Sequence, residues 1–377
     1  MGTKKIINDI AEIQIDVRRL DLDAFENMKD QWDNLHKQSS ADPLFLSWEW
    51  QHNWWQTFAS ELGLELFLLG VYDKENCLLG LAPCYKTTTK IGNAINIKRL
   101  QFIGNCFNGP PTVRTEYLDF IVNKEFEYII TKALFDYIKN EGHWDEFVIQ
   151  DLDSNSYTYA FINKNKAHIN THLRVIKTIT SYQVDTQQDF NTYIANLGKN
   201  TRKHLYKRRN FLNNLGKVTL KQADKNNLDD FFQTLNMLHK MRWGKNVFSD
   251  NRLRFHKCLA KQLMENNQVR FNILSLDDIP IAARINYRVN KHEYAIQSGI
   301  NDKLNKKLSL GILLTGYMIE NTMIDGLHVY DFLAGGGKKE DYKHYMATSN
   351  RKLVTLQLIN KRYLQYLYRL NDLFRRI

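Results

Sequence analysis

The chain has 377 residues, of which 43% are hydrophobic and 12% aromatic. That is enough for two domains that each bury a core, and too apolar for a disordered protein. Fifty-two basic against 41 acidic residues give a formal charge of +11, which favours phosphates, nucleic acid, acidic carrier proteins or anionic lipid as partners without choosing among them. No apolar run reaches the roughly 18 residues of a membrane span. The start, "MGTKKIINDIAEIQ", lacks the apolar core and cleavage site of a signal peptide, and Ile6 stands where a myristoylation signal has Ser or Thr. A soluble, cytoplasmic protein is expected. Cys77, Cys84, Cys106 and Cys258 form no C-x-x-C pair and meet no histidine at zinc-ligand spacing, so reduced, mostly buried thiols and no metal are expected.

In chain order, the aromatic stretch "DPLFLSWEWQHNWW" (Asp42 to Trp55) reads as a core anchor, with the wall of a binding cleft as the alternative. Leu64 to Tyr85 is a hairpin with a polar turn at Asp73 to Asn76. "KRLQFIG", "EYLDFIV", a helix from about Glu125 to Asn140 and the strand "DEFVIQDL" come next. Asp189–Leu197, Asn200–Leu215, Leu228–Gly244 and Arg252–Asn266 have helical spacing, with Gly216 and Gly244 as stops. Val269 to Val289 is a second hairpin, turning at Asp277 to Pro280. After it come "HEYAIQSGI", a helix from Leu310 to Ile324, "LHVYDFLAG", a helix near Asp341 to Met346, and "KLVTLQLI". The two hairpins, each leading into a similar run of strands and a helix, predict an internal duplication. The boundary falls between about Asp153 and Val184, which gives domains of residues 1–180 and 181–360. The tail, residues 361–377, is a basic amphipathic helix that either docks on the core or lies in a membrane interface.

Three stretches are able to carry chemistry. In "KLNKKLSLGILLTGYMI", Lys306 and Lys307 precede a helix start at Ser309-Leu310-Gly311, where unpaired N–H groups and a small residue suit a phosphate; a capped helix with solvated lysines is the plain alternative. Past Asp331 and the Gly335 to Gly337 run, Tyr342 is placed to donate a proton to a leaving group and Lys343 to balance negative charge, unless the loop is only a connector. "GKNTRKHLYKRRN" (Gly198 to Asn210) is dense in Lys and Arg and suits RNA or lipid phosphates, or is a solvated helical face. No nucleophile elbow, P-loop or dinucleotide fingerprint is present, which leaves reactions in which a reactive donor is bound and an acceptor positioned.

The order of these pieces, from "PLFLSWEWQHNWW", "LLGLAPCY" and "EYLDFIV" to "LGKNTRKHLYKRRNFLNNLG", "LHKMRWGKN", "PIAARINYRVNKHEYAIQSGIN", "LSLGILLTGYMIENTMIDGLHVYDFLAG" and "DYKHYM", resembles the BioF2-like, CelD-type acetyltransferase domain family. That family belongs to the GNAT superfamily and has the FemABX aminoacyl transferases as structural relatives. Two departures stand out: the family's Ser-Pro-Gly before the long helix is Ser309-Leu310-Gly311 here, and the glycine run before the Tyr-Lys pair is longer.

The resemblance implies an α/β fold of two tandem GNAT-like domains, each a mixed, mostly antiparallel sheet flanked by helices, the second carrying acetyl-CoA or another acyl-CoA as donor. Splayed strands "HEYAIQSG", with Gln297 and Ser298, and "LHVYDFLAG" would hold the pantetheine arm, and the helix from Ser309 the pyrophosphate. Glu293 and Asp331 are candidates for deprotonating the acceptor amine, with Asp119 a third; Tyr342 would protonate the departing thiolate, and Lys343 matches the family's Tyr-Lys pair. Arg202, Arg242 and Arg284 are candidates for the acceptor cleft or for structural ion pairs. The expected activity is N-acyl transfer to an amine of a sugar or small metabolite, with surface polysaccharide or envelope synthesis as a setting. Aminoacyl-tRNA or an acyl carrier protein as donor, and a non-catalytic assembly protein held at a membrane by its tail, are the rivals.

Overall fold

The computed structural model describes residues 13–91, 95–169, 171–305, 307–335 and 341–374. Their strands are β1 (Ile15–Leu20), β2 (Glu65–Asp73), β3 (Leu78–Ile91), β4 (Ile95–Phe102), β5 (Ile121–Val122), β6 (Glu146–Asp153), β7 (His172–Asp185), β8 (Val218–Gln222), β9 (Val269–Leu276), β10 (Ile279–Val289), β11 (His292–Ile300), β12 (Val329–Asp331) and β13 (Ser349–Ile359). Among their helices are α1 (Trp48–Phe58), α2 (Glu127–Glu141), α3 (Phe190–Asn196), α4 (Leu228–Trp243), α5 (Asp250–Met264), α6 (Leu310–Ile324) and α7 (Arg362–Phe374).

The chain divides into two compact units. One runs to Ile179 and resumes at Lys352; the other is Thr180–Arg351. The expected division at residue 180 is therefore incomplete, because residues 352–360, placed with the second domain from sequence, and the tail helix both belong to the first unit. "KLVTLQLI" is a strand by pattern, but pattern does not say which sheet a strand joins. Here Leu353 to Ile359 run antiparallel to β6.

In the first unit β1, β2, β3 and β4 are successive antiparallel neighbours, and β4 then runs parallel to β6 over Arg99–Gln101 and Glu146–Val148. The second unit repeats the pattern: β8, β9, β10 and β11 are antiparallel, and β11 runs parallel to β12, which lies antiparallel to β7. A parallel pair needs a crossover, and α2 and α6 supply it. This is the duplication expected from the two hairpins.

Local chemistry explains the elements. Ser47 caps α1 by accepting from the Trp50 N–H, and the helix then buries Trp50 and Trp54. Trp50 Nε1 donates to Thr115 Oγ1 at 2.9 Å, and Trp54 stacks on Tyr85 with ring centroids 5.8 Å apart, so the aromatic stretch is a core anchor. Each such ring contributes roughly 2–3 kcal/mol by burial. Gly244 ends α4 in the left-handed region, at φ 74°. On the strands of the second unit α4 packs so closely that a Cβ on Gly299 would sit 2.5 Å from the Leu235 carbonyl oxygen. The helix expected over Asn200–Leu215 is interrupted by a π-helical stretch, Lys203–Lys207, whose Leu205 is buried.

The tail helix docks through Leu364, buried against Ile97 and Ile359, and through the Tyr368 hydroxyl, which donates to Glu146 at 2.6 Å. No helix among the described residues is long and apolar enough to cross a membrane. Of the four thiols only Cys84 is buried; Cys77 and Cys258 are exposed and Cys106 is intermediate, so the expectation of mostly buried cysteines is corrected. No group of three or more His, Cys, Asp or Glu side chains among the described residues is placed to hold a metal.

Candidate active site

Parallel pairing of β11 with β12 ends at Tyr294 and Asp331, although β11 continues to Ile300. The two strands part there, and Gln297 and Ser298 lie in the diverging half. The Gln297 side chain turns back to accept from the Ser298 N–H at 3.1 Å.

At the start of α6, Ser309 occupies the N-cap position but makes no capping hydrogen bond. Its hydroxyl instead lies 3.1 Å from His204 Nδ1, on the π-helical stretch. The first-turn N–H groups thus lack the side-chain cap that the sequence suggested, which is the condition for an anion to serve them. A Cβ on Gly311 would meet only the Ile300 side chain, at 3.5 Å, so one side of this turn is open. Leu310 contributes only its backbone, its side chain being buried in the core. Lys307 is exposed, and Lys306 lies outside the described residues. His204, which sequence reasoning passed over among its basic neighbours, has its pKa lowered by burial and by the Arg208 and Lys203 charges.

Asp331 closes β12 and is itself buried. Its Oδ1 accepts from Leu333 N at 2.7 Å and Ser181 Oγ at 3.1 Å, and Oδ2 from Gln183 Nε2 at 2.7 Å. The N–H bond holds Leu333 at φ 58°, a region costly for a branched apolar residue. The Leu333 carbonyl in turn accepts from Lys343 Nζ at 2.9 Å. Lys343 is buried while its neighbour Tyr342 is 45% exposed, both on the 3-10 helix Asp341–Tyr345. The Tyr-Lys pair therefore divides: the ammonium faces inward onto the strand end and the phenol faces out. Gly335 is at φ 68°; Gly336 and Gly337 lie outside the described residues.

Glu293 pairs with Tyr330 and Tyr294 with Asp331, so strand alternation puts the two candidate bases on opposite faces of the sheet. They do not converge. Glu293 lies under α6 and is fully buried. Its oxygens accept from Asn286 Nδ2 at 2.6 Å and Thr322 Oγ1 at 2.9 Å and face Arg270 at 3.4 Å. Burial raises its pKa, opposed chiefly by Arg270. With both oxygens engaged, Glu293 is built as an ion-pair partner.

The same face holds Tyr330, whose phenol burial pushes up to about 12 while the Arg284 guanidinium pulls it back. Tyr330 and Asn286 are close enough for the amide to act on the phenol, yet neither the hydroxyl nor Asn286 Oδ1 has a partner at hydrogen-bonding geometry. Arg284, expected in an acceptor cleft, is buried and donates to Thr315 Oγ1 of α6 at 2.9 Å, with its Nε unpartnered.

The other cleft candidates are scattered. Arg202 donates to the Ala195 and Leu197 carbonyls at 3.0 and 2.9 Å, closing the end of α3. Arg242 is exposed at the end of α4, over the Trp243 ring and 3.7 Å from Asp302. Asp119 belongs to the first unit. Its surface is only partly covered, but its carboxyl is packed among Thr158, Ser156 and the Phe120 N–H, and burial raises its pKa to about 6.

Residues 199–344, which include the uncapped helix start, the diverging strands and the Tyr-Lys pair, match the acetyltransferase (GNAT) domain family. The second unit thus carries a GNAT-like domain. No curated protein matches the sequence. Among solved structures, FemX aligns with a TM-score of 0.61 at 11% identity, over 93% of this chain and 99% of its own. A conserved protein of unknown function from Bacteroides thetaiotaomicron gives 0.55 at 10% identity, over 92% and 100%. At such identities the likeness is one of fold, and it extends over both units.

Proposed function

We propose that the second unit transfers an acyl group, acetyl in the simplest case, from a CoA thioester to an amine of a sugar or small metabolite. The observation that supports this most is the start of α6: a helix N-terminus without a side-chain cap, with open space at Gly311, beside two strands that part at Tyr294 and Asp331. The N–H groups from Leu310 onward would receive the pyrophosphate, with Lys307 adding charge. The pantetheine arm would run along Gln297 and Ser298, bringing the thioester to the strand end that Asp331 and Lys343 shape. The neutral amine attacks the thioester carbonyl, the C–S bond breaks, and the thiolate takes a proton from the exposed Tyr342 hydroxyl. Lys343 acts by holding Leu333. Glu293 and Asp331, on opposite faces with their oxygens engaged, position the strands, and solvent takes the amine proton.

An aminoacyl-tRNA donor is the second reading. Lys199, Lys203 and Lys207, spaced by four residues, stay exposed on the basic segment, a stripe that suits a phosphate backbone. Thermal-shift titration with acetyl-CoA, longer acyl-CoAs and CoA separates the two, because a ligand that binds only the folded chain raises its melting temperature by mass action. A rise that Gly311→Trp abolishes is expected. No rise with any thioester, together with retention of aminoacyl-tRNA on a filter, would replace the first reading by the second.

A further inference from the structure

The first unit contains a polar cavity of about 690 Å³ that the transfer chemistry leaves unused. It is built around a bulge. The β6–β13 register slips between Val354 and Leu356, and Asp151 sits at φ 50°, so Thr355 stands opposite both Gln150 and Asp151. In a regular strand, consecutive side chains point to opposite faces. Here Gln150 and Asp151 both line the cavity, and Thr355 joins them. Bulges of this kind re-aim side chains beside binding sites.

The groups around the bulge are held in place before any ligand arrives. Arg114 grips Asp151 at 3.0 Å and Glu116 at 3.0 Å. Arg174 lies over the Tyr368 ring at 4.3 Å and is bonded to Gln357 and Asp372. Arg99 donates to the Phe107 carbonyl at 2.7 Å and pairs with Glu146. These three guanidiniums line the cavity, while Glu116, Asp372 and Glu146 stand behind them and do not. Lys90 and Lys177 complete the wall; both are exposed. Cations therefore exceed carboxylates even when the carboxylates behind the wall are counted. Thr355, which also lines this space, is only 6% exposed.

We propose that this cavity is a second ligand site, for an anionic sugar: a sugar phosphate or a sugar acid. The volume suits a ligand of that size. Arginines already tied to carboxylates present fixed donors for an anion. Gln150, Thr355 and Asp151 offer the mixed donors and acceptors that ring hydroxyls need. The cavity belongs to the first unit and the start of α6 to the second, so its occupancy does not depend on which acyl donor the second unit takes.

Isothermal titration of the full chain at low ionic strength with glucose 1-phosphate, glucuronate, glucose and inorganic phosphate tests it. One of the two anionic sugars is expected to bind, which decides between phosphate and carboxylate. Lys177→Ala should weaken that binding about tenfold and Thr355→Val several-fold, both without a change in melting temperature. Lys74→Ala, at the β2–β3 turn, should do neither. Absence of heat with both anionic sugars overturns the proposal. So does inorganic phosphate binding as tightly as glucose 1-phosphate with Thr355→Val indistinguishable from the parent, since a diffuse positive surface would behave that way.

Discussion

Gly316 of α6 lies against Leu205 so closely that a Cβ would come within 2.3 Å of the Leu205 carbonyl oxygen. That one missing methyl sets how the π-helical stretch sits on α6, and with it where His204 meets Ser309. Gly316→Ala improves helix propensity by up to about 1 kcal/mol, but the clash is with backbone, and overpacking typically costs about 1–3 kcal/mol. The clash should win. A lower urea midpoint is expected; a midpoint equal to or above the parent's would mean that the basic segment is free to shift.

Tyr342 and Lys343 are adjacent but should fail differently. Tyr342→Phe changes an exposed phenol and should leave the melting temperature alone while lowering kcat about 100-fold, the usual scale for a lost general acid. Lys343→Met leaves the Leu333 carbonyl without its buried donor, which costs about 1–3 kcal/mol, and should lower stability as well as turnover. Parental kcat in Tyr342→Phe across the pH range would assign the thiolate proton to solvent.

Glu293→Gln should be mainly a stability variant. Breaking a buried ion pair by removing one partner costs on the order of 3–5 kcal/mol, and among the described residues Arg270 would then keep Asp325 alone. At a temperature where the variant is folded, kcat within about threefold of the parent is expected. A loss of about 1000-fold under those conditions would restore Glu293 as the base.

Asp119 gives a pH signature of definite sign. Its pKa is raised from 3.8 to about 6, so the folded chain holds this proton more tightly than the unfolded one. The contribution is therefore complete below pH 4 and is lost as pH rises to about 6, on the order of 2–3 kcal/mol. Asp119→Asn should be more stable than the parent at pH 7 and should flatten the stability of the first unit between pH 4 and 6. An unchanged profile would show the carboxyl to be solvated.

Much of the fold was legible because periodicity and turn residues are local. The two hairpins, the helix from Leu310 and the core role of Trp50 and Trp54 all derive from spacing. The site was less legible, because its geometry depends on register between strands far apart in sequence. That Glu293 and Asp331 face opposite ways comes from pairing Glu293 with Tyr330, which no local pattern encodes. Likewise Arg202 reads as a cleft residue or an ion-pair partner until it is seen to serve the nearby carbonyls of Ala195 and Leu197. At the start of α6, Ser309 stands at the capping position, yet its hydroxyl is turned to His204, a partner 105 residues away that no local pattern indicates.

The second unit is continuous in sequence, whereas β13 joins the first unit only after residue 351. On the ribosome the order of completion is therefore inverted. The first unit must wait, with the edge of β6 unpaired, while the whole second unit is synthesised, and that edge is a template for wrong pairing. A chain stalled near Arg351 would carry a finished second unit attached to an unfinished first one.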